Sequence, residues 1–321
     1  MLPPVVHHPL YSVPLPGPHR FPMAKFAALA SVLRARGLLD EHNLFVPEPA
    51  ATDVLLLGHS PSWVRAVLEG GVDRIAERRV GLPVTAAVAR RARVSVGGTL
   101  LTGRLALAHG LACNTAGGSH HAFREGGAGF CVFNDVAVAS LALLAEGRVR
   151  RVLVVDLDVH QGDGTAAILA DEPRASTFSM HCACNYPAKK QQSTLDVALD
   201  AGTEDRAYLE LLERLLPELL RRVRPDLVFY NAGVDPHRAD RLGRLALSDR
   251  GLAERDRFVL ETCLGAGVPV ATVLGGGYDL DLSALAQRHA ILFEVAADLT
   301  RRKHGRRSCP DSGSRAGREP F

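Results

Sequence analysis

Five short runs of this chain read as buried strands with apolar centres, and they alternate with segments of helical spacing. The runs are LACNTAGG from Leu111, RVLVVDLD from Arg151, STFSMHC from Ser176, PDLVFYNAG from Pro225 and VPVATVLGGG from Val268. A strand with no polar face must be covered on both sides, and strands separated by helices pair in parallel. The pattern therefore predicts an α/β fold, a three-layer αβα sandwich around a central, mostly parallel sheet. Helices are expected from Ala24 to about Gly37, over SPSWVRAVLEGG with Ser60 as cap, and over 85–110 with a break or kink at Gly97-Gly98. Others are expected from Asn134 to Gly147, over GTAAILA, over TEDRAYLELLERLLPELLRRVR ending at Pro225, after Ser248, and over LSALAQRHAILFEVAADL.

With 47% hydrophobic residues and no interior linker or repeat, residues 1–300 read as one domain, followed by a basic, disordered tail over 301–321. Lysine plus arginine exceed aspartate plus glutamate by 38 to 35. The tail carries seven basic and two acidic residues, so the body before it is slightly acidic. That argues against a nucleic-acid surface. No apolar run reaches the ~18 residues of a membrane span. The proline-rich start lacks the charged and apolar regions of a signal peptide. Six cysteines form no disulfide framework, and Cys182 and Cys184 are too close for a relaxed mutual bridge. A reduced, cytoplasmic setting is the expectation. Arginine, alanine and leucine are abundant, as in GC-rich bacterial proteins.

In an open parallel sheet, sites form at the carboxyl ends of strands. Four such ends are polar here. His120 and His121 follow the first run, Asp156, Asp158, His160 and Asp163 the second, Asp235 the fourth and Tyr278 the last. Carboxylates this close to an apolar strand need a positive partner, whether a metal ion, an arginine or solvent. Residues 156, 158 and 160 alternate, so in extended chain they point one way. Asp158, His160 and Asp235 together offer two oxygens and one imidazole nitrogen. That set suits zinc with an open position, and tolerates iron, manganese or cobalt. Asp156 and Asp163 remain to orient His120 and His121 for proton transfer. Tyr278 is placed to donate to a developing oxyanion. The bland alternative is a set of capping acids and hydrogen-bonded loop residues.

The succession GGSHHAF, GAGFCVFND, VVDLDVHQGDG, YNAGVD and LGGGY resembles the motifs of the zinc-dependent histone deacetylase family, which has bacterial acetylpolyamine and acetoin-utilisation relatives. HHPLY, HRFPM, NYPAKK and LDVALDAGTEDRAYL resemble its class IV-like branch and bacterial members. The resemblance runs from about His8 to Leu292. It implies an arginase/deacetylase-like fold and hydrolysis of an acylated lysine or similar amine. It implies one catalytic Zn²⁺ on Asp158, His160 and Asp235, with His121 as base and His120 as electrostatic or acid partner. Asp156 would hold His120, Asp163 would hold His121, and Tyr278 would polarise the acyl carbonyl. Gly129 and Phe130 would line the acyl-lysine tunnel, with Asn185 or Tyr186 opposite, and Arg20 would lie on an inner exit pocket. A structural K⁺ would take oxygens from Asp156, Asp158, His160, Ser179 and Met180. No counterpart of the family's acidic rim residue appears around GLPVT (81–85). Acetylpolyamines and small acetylated metabolites are alternative substrates, and a catalytically inactive acyl-lysine binder is an alternative role. An arginase-like pair of manganese ions would need another aspartate where Gly162 stands.

Overall fold

The computed structural model describes residues 2–15, Gly17 and 19–307. The strands are β1 (Val5–Val6), β2 (Leu44–Phe45), β3 (Leu111–Asn114), β4 (Val152–Asp156), β5 (Ala175–Cys182), β6 (Leu195–Leu199), β7 (Leu227–Asn231) and β8 (Val270–Val273). They form one sheet in the order β2-β1-β3-β8-β7-β4-β5-β6, and every neighbouring pair is parallel. The helices are α1 (Lys25–Ala35), α2 (Thr52–Gly58), α3 (Pro61–Glu69), α4 (Arg74–Val80), α5 (Ala86–His109), α6 (Asp135–Ala145), α7 (Asp163–Leu169), α8 (Asp205–Val223), α9 (Asp249–Gly265) and α10 (Leu282–Arg307).

Strand β4 shows why the runs had to be apolar throughout. Val152 and Val154 enter a core with Leu105 of α5 and Leu143 of α6. Leu153 and Val155 enter the opposite core with Leu33 of α1, Leu216 of α8 and Phe293 of α10. Successive side chains alternate between faces, so each face has its own helical layer.

Helix α5 runs unbroken through Gly97 and Gly98, contrary to the expected interruption. The two glycines serve close approach. A Cβ on Gly97 would collide with the Glu48 carbonyl, and one on Gly98 with the Tyr11 hydroxyl. Helix α8 ends at Arg224, which adopts a left-handed conformation (φ 48°) ahead of Pro225, and it tolerates Pro217 inside. Helix α10 carries seven residues of the basic segment, to Arg307; 308–321 lie outside the described residues. No helix among the described residues is long and apolar enough to cross a membrane.

Candidate active site

The β3 end turns through Gly117 and Gly118, with φ of 87° and 82°. A Cβ on Gly118 would press on Asn231 and the Gly275 backbone, so this turn admits only glycine. The buried Asp135 carboxylate fastens it by accepting the Gly118 and Ser119 amides at 3.1 and 2.7 Å. Asn134 Nδ2 donates to the His120 and Ala122 carbonyls at 3.3 and 3.0 Å, while Asn134 Oδ1 caps α6. The Asn134 amide donates in turn to Nε2 of the buried His59. The two histidines thus sit on a loop held from three directions.

Each histidine has its own carboxylate. His120 Nδ1 lies 2.7 Å from Asp156 Oδ2, and His121 Nδ1 lies 2.6 Å from Asp163 Oδ1. The rings are 4.1 Å apart. Their proton affinities diverge. Burial opposes charge on His120, but Asp156 and then Asp158 outweigh it and raise its pKa to about 9. Burial and then the His120 charge push His121 down to about 4. At neutral pH one ring is a cation and the other a free base. Asn231 Nδ2 completes the Asp156 environment at 2.9 Å.

Asp158, His160 and Asp235 converge, with one ligand atom from each lying within 4.8 Å of the others. His160 Nδ1 is 3.0 Å from Asp158 Oδ1 and 3.1 Å from Asp235 Oδ2. Donors on a tetrahedral ion with ~2.0 Å bonds stand roughly 3.3 Å apart, so the three atoms already have the spacing a small divalent cation requires. The remaining oxygens are fixed from outside. Asp158 Oδ2 accepts the Gly276 amide at 2.6 Å, and Asp235 Oδ1 accepts the Val159 amide at 2.9 Å. Burial, then the neighbouring Asp158 charge, raises Asp235 to about 7. A Cβ on Gly276 would invade both carboxylates, which explains a glycine there.

Above this trio opens a cavity of about 610 Å³. Gly129 (φ 52°) and Phe130 (φ 67°) both take left-handed backbone at its wall. A side chain on Gly129 would strike the His121 ring. The Phe130 ring lies 5.9 Å from Tyr278, and Tyr186 stands edge-on to His121 at 4.8 Å. Of the two candidates for the facing wall, Tyr186 meets His121. Asn185 is tied to the 242–244 loop through the Leu242 carbonyl and the Arg244 amide.

Arg20 departs from expectation. It is exposed and lines the outer mouth, because it sits on the loop leading into α1. The buried arginine of the inner pocket is Arg91 of α5, whose Nε donates to the Tyr11 carbonyl at 2.8 Å. Lys25 lies beside it, fully buried, donating to the Gly275 and Gly277 carbonyls that flank the turn before Tyr278. Burial lowers Lys25 to about 8 against the pull of Asp235 and Asp158. Arg255 is also buried and donates to the Leu157 and Gly233 carbonyls behind the trio. Sequence pattern missed Lys25, Arg91, Arg255, His59 and Asn231. For Lys25, Arg91 and Arg255 the one available signal was a charged residue on an otherwise apolar helix face; His59, between helices, and Asn231, in β7, offered none. Ser179 and Met180 are buried on β5, with Ser179 beside Asp156 in the ladder and its hydroxyl 3.0 Å from His181 Nδ1.

Residues 19–294 match the histone deacetylase domain family. An uncharacterized protein of Picosynechococcus sp. is 50% identical over 296 residues, spanning 92% of this chain and 99% of that protein. Histone deacetylase 2 of Arabidopsis thaliana is 32% identical over 81% of this chain and 70% of its own length. The acetoin utilization protein AcuC of Bacillus subtilis is 28% identical over 82% and 73%. The crystal structure of the HDA15 HD domain superposes with a TM-score of 0.77 at 22% identity, covering 93% of this chain and 89% of that one.

Proposed function

The chain belongs to the histone deacetylase family, and from that premise we propose that it is a zinc-dependent hydrolase removing an acetyl or longer acyl group from a lysine side chain or similar amine. The observation that carries the reading is the convergence of Asp158, His160 and Asp235 beside two separately oriented histidines. Asp158, His160 and Asp235 would hold the ion, which when bound supplies Lewis acidity and lowers the pKa of a coordinated water toward about 7.

The chain's own groups do the rest. His121 Nδ1 is committed to Asp163, so Nε2 is the free acceptor for a proton from the attacking water. Its low pKa keeps that atom unprotonated at neutral pH. His120, held by Asp156 and charged at neutral pH, stabilises negative charge nearby and is the proton source for the departing amine. The Tyr278 phenol, kept protonated by burial and the surrounding carboxylates, is the donor for the oxyanion. Gly129, Phe130 and Tyr186 frame the path of the acyl-amine stem. A K⁺ on Asp156, Asp158, His160, Ser179 and Met180 belongs to the same proposal, supported by the pairing of Asp156 with Ser179 in the ladder. So does a cytoplasmic setting, supported by five unpaired cysteines among the described residues.

The test is hydrolysis of a fluorogenic acetyl-lysine peptide and a longer-chain acyl counterpart, before and after chelation, with metal content measured on the same sample. Turnover that disappears with the metal and returns with one equivalent of Zn²⁺ is expected. Full activity in metal-free protein, or zinc-loaded protein inert toward every acyl-amine, would overturn the assignment.

A further inference from the structure

The mouth of the cavity is cationic. Arg20, Arg79, Arg241 and Arg244 line it, and no aspartate or glutamate does. All four are exposed. None has a carboxylate within 4 Å among the described residues, whereas some other exposed arginines are paired, such as Arg206 with Glu210 and Arg250 with Glu254. The acid that precedes the 241–244 turn is Asp240. Its oxygens are consumed by backbone: Oδ1 accepts the Leu242 and Gly243 amides, and Oδ2 accepts the Tyr278 amide. Its carboxylate therefore turns inward and leaves the arginines unneutralised.

The arginines come from three separate stretches of chain. Arg20 stands before α1, Arg79 ends α4, and Arg241 and Arg244 follow the Asp235 loop. Phe130 and Tyr186, between them, leave an apolar passage down to His121. Whatever enters thus passes its neutral acyl-amide stem between Phe130 and Tyr186 while its flanking groups meet guanidinium from three stretches of chain. Guanidinium forks recognise carboxylates bidentately, and unpaired ones facing a passage repel cations.

We propose that this rim selects substrates whose acylated amine is flanked by anionic groups, specifically an acyl-lysine with aspartate or glutamate on either side, and rejects acylated polyamines. The inference rests on the deacylase reading and narrows it. Acylated diamines and polyamines keep ammonium groups beside the amide, which the rim would repel. An acidic peptide would instead place carboxylates against Arg241 and Arg244 or against Arg79 and Arg20.

The experiment compares kcat/KM of the zinc-loaded enzyme on three peptides with one central acetyl-lysine and acidic, alanine or arginine flanks, together with an N-acetylated diamine. Exposed ion pairs contribute about 0.2–1 kcal/mol each, so two or three engaged at once predict an acidic-over-alanine preference of about tenfold. The preference should shrink toward parity in 0.5 M NaCl, where screening acts within about 4 Å. Arg241→Glu/Arg244→Glu leaves two positive and two negative groups on the rim, so the ratio of acidic to basic peptide should fall to near parity. Ratios are read within each protein, so a partly folded variant does not distort them, and the salt dependence of the unaltered enzyme stands without any variant. Equal rates on all three peptides, or a faster diamine, would overturn the rim's role while leaving deacylation intact. Failure to cleave any of the four, or their counterparts with a longer acyl chain, would instead remove the deacylase reading, and this inference with it.

Discussion

Acidification should loosen this protein through His59, at a distance from the reacting atoms. The ring is 1% exposed. Nδ1 donates to the Phe123 carbonyl at 2.9 Å, and Nε2 accepts the Asn134 amide at 2.9 Å. Only the neutral ring can do both, because a protonated Nε2 would face the Asn134 N–H donor to donor. Burial lowers the folded pKa from 6.5 to about 4, and the Phe123 hydrogen bond only partly offsets it. Below pH 6.5 the unfolded chain takes up a proton that the folded one refuses until about pH 4. Stability is therefore lost across that window and levels off on either side. At 1.36 kcal/mol per unit the full cost is about 3 kcal/mol, of which about 2 kcal/mol is spent by pH 5. His7 and His181 are also lowered by burial and add slopes of their own, so the measurement must be a difference. Urea midpoints at pH 7.5 and 5.0 should be compared between the protein and His59→Gln, whose amide carries a donor and an acceptor at similar spacing but does not titrate. The variant should lose about 2 kcal/mol less on acidification. Parallel losses in the two proteins would refute the coupling between His59 and the Asn134 anchor.

Tyr278→Phe should lower kcat about 10²- to 10³-fold with little change in KM, the loss expected for one preorganised oxyanion donor, while the melting temperature stays within a few degrees; steady-state kinetics and a thermal melt check both halves. Asp235→Asn should bring zinc occupancy far below one per chain by elemental analysis, with circular dichroism unchanged, because the substitution removes charge at nearly constant volume.

The sequence pattern was most informative where an apolar run stopped. Asp156, Asp158, His160, Asp235 and Tyr278 were legible because each is a polar group at the end of a strand with no polar face, and a parallel sheet brings such ends to one rim. Strands β1 and β2 escaped because two residues each carry no period. β6 escaped because an edge strand with exposed Asp196 and Ala198 lacks the buried signature. The glycine pair of α5 misled for a different reason. Propensity reads Gly-Gly as a break, while here the space taken by Glu48 and Tyr11 demands it. His59 was illegible because a single polar residue in a loop looks the same whether it faces water or a buried carbonyl, and Lys25 and Arg91 showed only as charges on otherwise apolar helix faces. Arg20 was misplaced on the same ground, since exposure is a property of the fold.

Charge bookkeeping then answers why the cation belongs to one pair of acids and not the others. Asp156 and Asp163 each have a dedicated imidazole at 2.7 and 2.6 Å, so each can share a proton with its own partner. Asp158 and Asp235 share a single imidazole, His160, through one nitrogen. Burial opposes charge on His160, but these two carboxylates outweigh it and raise its pKa to about 10. Even so charged, it cancels only one of the two. Burial, and after it the Asp158 charge, raises the affinity of Asp235 for a proton to about 7. Lys25 pairs directly with neither acid, since its Nζ donates to the Gly275 and Gly277 carbonyls and its charge acts on Asp235 and Asp158 only at longer range. A proton on His160 also blocks the only nitrogen that points at both acids. A divalent ion removes both difficulties at once, because it neutralises two carboxylates and takes the imidazole lone pair in place of the proton. A monovalent ion at the same point would leave the second carboxylate buried and uncompensated, which is the state that buried acids avoid by taking up a proton.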